Sequence, residues 1–423
     1  MVEIKTLGLG VKLSNDLVVD CLLYADDVVF LAPSEENLQQ MLNFLHKWCC
    51  NWRIEANLSK TNVMHIRKPQ KRKTNYRFVF GDKPVEFCND YKYLGITMNE
   101  FLNFDKTTKE LSDPAGRALG FVITKMIKNG GFPINVYKTV VEACVFSVSD
   151  YAAEVWGYHE YSSTKQLHSH AIRAFLGLPK NTPGAGLLAE MNWLDPRSRT
   201  QIKIIRQYHR MLKMNEGRLT RRVLLWDRTL SEEGGLKTWF SELKSIAVRN
   251  NLTEILNDIP FDIYKTVEQM KISLLTKDQS KWSHEAGSMP KLRTYVTISD
   301  FSVRKSYITK PLSFIQRKYL AKFRLGILPI RIETGRYERP KLVAAERTCQ
   351  ICNSNTVEDE THFLLYCPKF STLRERLFSF VEDPNFENMG NQDKMKFLTN
   401  DSSMVKTTAQ YLIDAFDLRS KII

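Results

Sequence analysis

Two carboxylates stand side by side inside an apolar run, "CLLYADDVVF", from Cys21 to Phe30. An ionised carboxylate is costly to bury, so Asp26 and Asp27 call for an exposed bend or a cation. Adjacent aspartates on a tight turn offer the hard oxygen donors that magnesium takes. Two divalent ions about 4 Å apart stabilise the attacking and leaving oxygens of a phosphoryl transfer. A bare Asp-Asp pair is usually an ordinary exposed turn. The apolar strands on both sides sharpen the reading here.

A second cluster is "CQICNSNTVEDETHFLLYC". Cys349 and Cys352 form a C-x2-C pair, and His362 and Cys367 follow as H-x4-C with nine residues between the halves. Three thiolates and an imidazole complete a tetrahedral zinc shell and leave no open position, so the expected role is structural. Two intervening residues put Cys349 and Cys352 on one tight turn. His362 starts a short helix, and Cys367 lies at its end before Pro368. Phe363, Leu364 and Leu365 are expected to pack the element against the helices before it. Cys21, Cys49, Cys50, Cys88 and Cys144 take no part.

Three basic stretches complete the candidates. Residues 67–77 hold six Lys or Arg and no acid; 197–222 hold nine and one acid; 304–341 hold eleven, interleaved with aromatics. Cations neutralise phosphates and aromatics stack on unpaired bases. Arg317, Lys318, Lys322 and Arg324 are the expected phosphate contacts of the third. His168 and His170 have no partner at metal spacing and read as ordinary helix residues. The "GLGLG" near the start leads into a strand, the wrong setting for a nucleotide loop.

The elements that must position these groups read as follows. Strands on either side of "YADD" make a hairpin with both aspartates at its tip. Ser34 caps a helix whose apolar stripe runs through Leu38, Met41, Leu42, Leu45, Trp48 and Trp52. Strand-like pieces follow at 60–66 and 75–98, with "GDKP" as a turn. From about residue 105 the periodicity is helical, over 114–129, 133–149, 162–177, 197–215, 238–256 and 312–324. Two short helices around "FENMGNQDK" finish the chain. The fold class is α+β.

At this point the sequence resembles a known family. "YADD" looks like the catalytic hairpin of reverse transcriptases, in the version of non-LTR (LINE-type) retrotransposons. The resemblance implies that Asp26 and Asp27 bind magnesium and that Tyr24 touches nucleic acid. "IEANLSKTNVM" is similar to the next family motif, which puts Lys60 near the incoming nucleotide's phosphates. "YKYLGITM" resembles the primer-grip hairpin, with Leu94 and Gly95 at its centre. "AIRAFLGLPKNTPGAGLLAEMNWL" resembles the helical linker beyond the thumb, and such enzymes often carry a C-terminal Cys-Cys-His-Cys element. The implied segments are a partial palm at 1–104, thumb and start of the linker at 105–195, a basic helical linker at 196–340, a zinc element at 341–375 and terminal helices at 376–423. The implied partners are an RNA template and a DNA primer or target.

Family members carry another catalytic aspartate and the fingers well upstream of this hairpin. Only 23 residues precede Tyr24, and Asp16 and Asp20 do not fit the missing motif. The expectation is a polymerase fragment that is inactive alone; the alternative is a non-catalytic, zinc-containing RNA- or DNA-binding protein. The totals agree with either. The 423 residues suffice for about two to four units, and a net charge of +14 with pI near 9.3 favours polyanions. No run approaches the ~18 apolar residues of a spanning helix, and no secretory signal is seen. An intracellular, reduced setting is expected, nucleus or cytoplasm, with no membrane partner; the oligomeric state stays open.

Overall fold

The computed structural model describes residues 7–257, 259–302, 305–352 and 354–422. The architecture is α+β, with short strand pairs in the first hundred residues and helices thereafter. Two compact units are each assembled from separated chain segments, whereas the sequence reading cut the chain into contiguous pieces. One gathers Met1–Glu110, Ala152–Tyr158 and Lys203–Thr266; the other gathers Leu111–Tyr151, His159–Ile202 and Val267–Ile423.

In the first unit, β1 (Val11–Ser14), the strand expected after "GLGLG", pairs with β2 (Leu17–Val19) in an antiparallel hairpin that was not expected. Gly10 is required beside it, because a Cβ there would come within 2.7 Å of the Asp20 backbone. β3 (Cys21–Tyr24) and β4 (Asp27–Phe30) make the expected second hairpin. Helix α1 (Glu35–Trp52) begins as read: the Asn37 N–H donates to the Ser34 hydroxyl at 3.3 Å, and Glu35 and Glu36 occupy its positive end. Its buried stripe ends at Cys49. Trp52 is 67% exposed, a correction to the sequence reading, because the chain turns away through a left-handed Arg53.

Short strands follow: β5 (Asn62–Val63), β6 (Val79–Phe80), β7 (Lys83–Pro84), β8 (Glu86–Phe87), β9 (Asp90–Tyr93) and β10 (Ile96–Asn99). β5 pairs in parallel with β8; β6 pairs with β7 across the "GDKP" turn; β9 pairs with β10. The Gln39 side-chain amide bonds both the N–H and the C=O of Val79 and so fastens α1 to β6. Leu42, Cys49, Val63, Phe78, Phe80 and Val85 form the core beneath.

The predicted helices are present with shifted ends. α2 (Asp105–Lys128) starts nine residues before the predicted 114, so Pro114 lies inside it rather than at its start. α3 (Ile134–Val141) continues through a π-turn at Glu142–Phe146. α4 (Ser162–Leu176) and α5 (Pro196–Leu212) match closely. Among the described residues, the longest helices not foreseen are α6 (Leu219–Glu232) and α7 (Ile263–Gly287). α6 opens on Arg218 without a side-chain cap bond. α7 spreads its apolar residues around its circumference and so offers no stripe to read. α8 (Phe314–Arg324) has a full capping box of Ser313 and Gln316. α9 (Ser371–Phe378), α10 (Asn391–Asn400) and α11 (Val405–Ile422) close the chain. The second unit's core runs from Leu119, Tyr137 and Phe175 to Phe323, Phe363 and Leu412.

Candidate active site and metal centre

Tyr24 pairs with Asp27 across the tip of the β3–β4 hairpin, so only Ala25 and Asp26 form the turn. Asp27 is the first residue of β4, one position further into the strand than a two-aspartate tip would give. Ala25 takes a left-handed φ of 51°, which side chains other than Gly and Asn rarely adopt. Both aspartates are exposed, and neither carboxylate has a hydrogen-bond or ion-pair partner among the described residues. Tyr24 is 62% exposed. This answers the energetic problem of two carboxylates in an apolar run: the tip of the hairpin, Asp27 at the start of β4 included, is exposed.

The β9–β10 hairpin has a two-residue loop, Leu94 and Gly95, with φ of 47° and 84°. Two successive positive φ values match the right-handed twist of the flanking strands. A leucine in that conformation is strained, so something other than local preference places it there. The two hairpins are neighbours. Burial raises the Tyr93 hydroxyl's pKa, and the charges of Asp27 and Cys21 push it the same way. Lys60 is exposed on the turn before β5, and its carbonyl accepts from the Tyr91 hydroxyl of β9 at 3.1 Å. Tyr91 thus ties Lys60 to the β9–β10 hairpin, and Tyr93 of the same strand feels the charge of Asp27, although neither tyrosine carried a signal of its own. No third carboxylate joins Asp26 and Asp27 in a cluster among the described residues.

The basic stretches divide sharply. In 304–341 the structure buries two of the four expected phosphate contacts. Arg324 is 0% exposed and its Nε donates to Glu190 Oε1 at 2.6 Å. Arg317 is 3% exposed, lies 3.9 Å from the Phe175 ring centre and donates to the Phe132 carbonyl. Burial without an acid partner pulls the Arg317 pKa down to about 10. Neither guanidinium reaches a ligand, because each points into the core side of α8. Lys318 and Lys322 stay half-buried at the surface. In 197–222, Arg199 pairs with Asp150 and Arg222 with Asp16, while Arg206 and Arg210 stay exposed on α5 and Lys213 just past its end.

The Cys-His quartet comes together. One ligand atom from each of Cys349, Cys352, His362 and Cys367 lies within 4.8 Å of the others, and all four residues are buried. Thr348 and Val357 pair as an antiparallel bridge, and the Cys349 N–H donates to the Thr356 carbonyl at 2.8 Å. That closes the turn carrying the first two thiols. The His362 N–H is capped by Asp359, and a short π-turn, His362–Tyr366, leads to Cys367 and Pro368. His362 Nε2 lies 3.4 Å from Cys352 Sγ, and Thr356 Oγ1 holds Nδ1 at 3.0 Å. Such an outer partner fixes which ring nitrogen faces a metal.

Burial keeps the imidazole below its ordinary pKa, in the neutral form that ligates. Burial also pushes up the thiols of Cys349 and Cys367, the latter to about 12. For Cys352 burial acts the same way, but hydrogen bonds from Ser354 and the neighbouring thiols outweigh it and lower the pKa. Three thiols crowded away from water need a cation to ionise together, and this donor set is the one a zinc shell uses. Phe363, Leu364 and Leu365 join the core of the second unit, which includes residues of the preceding helices, and pack on following ones as well. Phe363 meets Phe370 edge-on at 4.9 Å and approaches Phe416 of α11, whose Tyr411 hydroxyl donates to the Phe363 carbonyl.

Residues 9–98 match the family model described as reverse transcriptase (RNA-dependent DNA polymerase). The match ends at Met98, inside β10, and so takes in both hairpins, α1 and Lys60. It supports a reverse transcriptase domain over that stretch, and such a domain implies nucleic-acid binding. No curated protein matches the chain. No helix among the described residues is long and apolar enough to cross a membrane.

Proposed function

We propose that the chain is the C-terminal portion of a LINE-type retrotransposon reverse transcriptase. Residues 1–104 are part of its palm, the helices from 105 its thumb and linker, and 341–375 a structural zinc element. The observation that carries this is the pair of partner-free carboxylates, Asp26 and Asp27, on a tight exposed hairpin beside the strained Leu94–Gly95 turn, all within the matched residues. Magnesium ions, when bound, would supply charge stabilisation to the reacting oxygens of a nucleotidyl transfer. The chain's own residues contribute position. Asp26 and Asp27 offer free oxygens. Lys60, exposed on the turn that Tyr91 of β9 bonds, meets nucleotide phosphates. The Leu94–Gly95 turn presents backbone to a DNA primer paired with an RNA template.

Two carboxylates form an incomplete magnesium centre, so these residues alone give no template-directed synthesis. Primer extension on an RNA template tests this, with the chain as it stands and with a palm-and-fingers segment fused ahead of it. Extension is expected only from the fusion, and Asp26→Ala or Asp27→Ala abolishes it. A fusion that extends equally well after both substitutions overturns the polymerase reading. Asp26-dependent extension by the chain alone overturns its incompleteness. The absence of a third clustered carboxylate among the described residues favours a second reading, a non-catalytic zinc-containing protein that binds RNA or DNA. It predicts a silent fusion with RNA binding retained.

A further inference from the structure

The 67–77 stretch is built differently from the other two basic stretches. Its ends are clamped. The Arg67 N–H donates to the Glu100 carbonyl at 3.0 Å, and its guanidinium lies 3.4 Å from the Glu100 carboxylate and 4.7 Å from the Phe101 ring centre. Lys73 Nζ donates to Asn89 Oδ1 at 2.6 Å and lies 3.9 Å from the same Glu100 carboxylate. Glu100 is only 7% exposed, and its N–H donates to the Asn89 carbonyl at 2.8 Å. One buried acid thus anchors both ends of the loop to the base of the β9–β10 hairpin. Between the clamps, Lys68, Lys71 and Arg72 are exposed, and none has an acid partner among the described residues. A turn from the Lys71 N–H to the Lys68 carbonyl, 2.9 Å, folds them together.

Like charges held this close repel one another, and a loop serving only as a connection gains nothing from being fixed in that state. A polyanion reverses the sign: the cations are already gathered, so little ordering cost remains on binding. The Leu94–Gly95 turn lies at the opposite end of the same hairpin, about five residues away, or roughly 17 Å at a strand's rise. That equals about five nucleotides of one strand, so a single nucleic acid can meet both ends. The exposed cations of α5 lack such a clamp and read as a solvated helix face.

We propose that loop 68–72 is a preorganised contact for a nucleic-acid phosphate backbone. This rests on the nucleic-acid reading above and assigns it a site. The test is binding of a roughly 20-nucleotide uridine RNA, longer than the stretch that single binding folds usually cover, to the full chain across a salt series. Wild type is compared with the variant Lys68→Ala/Lys71→Ala/Arg72→Ala. All three side chains are exposed, so an unchanged melting temperature is expected and confirms folding. The slope of log affinity against log salt should fall in magnitude by about 2, three cations at ~0.7 each for a single strand. A steep wild-type slope that the variant shares overturns the loop contact while leaving nucleic-acid binding intact. The loop contact is equally overturned if the variant keeps its RNA affinity but loses an acidic protein partner in a pull-down. A wild-type chain with no salt-dependent binding overturns both the loop contact and the nucleic-acid reading.

Discussion

Replacing Arg324 by methionine separates a phosphate contact from a buried ion pair. Arg324 and Glu190 are both 0% exposed at the side chain. The carboxylate accepts from Arg324 Nε at 2.6 Å and from the Tyr307 hydroxyl, while the far side of the guanidinium bonds Thr399 and Asn400. Burial alone would lower the Arg324 pKa, but the Glu190 charge outweighs it and raises it, so the guanidinium stays charged. Arg324→Met leaves Glu190 buried and uncompensated, which typically costs about 3–5 kcal/mol. In a unit of this size each kcal/mol shifts the melting temperature by roughly 2–4 °C. The expected fall is therefore about 6–20 °C, read by circular dichroism. The salt slope of RNA binding, measured where the variant is still folded, should not change. Adding Glu190→Gln should recover part of the loss, since an unpaired amide is cheaper to bury than an unpaired charge. A melting temperature within about 2 °C of wild type, together with a slope reduced by ~0.7, the share of one phosphate contact, would refute the argument.

Two further outcomes are expected. His168 is 1% exposed between Phe146 and Trp193, and neither ring nitrogen has a hydrogen-bond partner among the described residues. Burial, helped by the positive charge of Arg199, holds its pKa well below the ordinary value of 6.5. The folded state then keeps the imidazole neutral while the unfolded chain takes up a proton. This contribution is complete above about pH 6.5 and is lost on acidification at ~1.4 kcal/mol per pH unit. Urea unfolding at several pH values should show that slope, and His168→Leu should flatten it; an unchanged slope in the variant counts against the assignment. The Cys-His centre should hold about one zinc per chain in reduced protein, by elemental analysis. Chelation or Cys352→Ser should loosen the whole second unit, because Cys349, Ile351, Cys352, Leu364 and Cys367 belong to its core. Amide exchange in α1 should be unaffected. Zinc retained in full after Cys352→Ser would remove the quartet from consideration.

Much of the candidate site was legible because its signals are local. "YADD" between apolar strands contains its own turn, and the observed hairpin differs only in register, with Asp27 already paired to Tyr24. C-x2-C and H-x4-C specify a metal shell through spacing, and the four ligands converge although 17 residues separate the first from the last. What the sequence did not disclose depends on partners far along the chain. Thr356 as the hydrogen-bond partner of His362 leaves no trace in the spacing. Nor does the assembly of the first unit from segments more than a hundred residues apart, as in the ion pair between Asp16 and Arg222.

The misplaced cations show the same limit from the other side. Counting Lys and Arg finds eleven in 304–341 and six in 67–77, which favours the longer stretch as the nucleic-acid face. Burial reverses the order. In the longer stretch Arg324 is committed to Glu190, Arg331 to Glu338 and Arg336 to Glu333, and Arg317 lies against Phe175. In the shorter stretch one buried acid, Glu100, holds two cations at the ends and leaves the rest without acid partners. Helix periodicity could have warned of the first case. Arg317, Leu320, Ala321 and Arg324 share one face of α8 at spacings of three and four, and that face is the buried one. A guanidinium at a core position of an amphipathic helix is an interior ion pair or a stacking group before it is a phosphate ligand. Where charges sit on the helical repeat therefore carries more information about nucleic-acid contacts than how many there are.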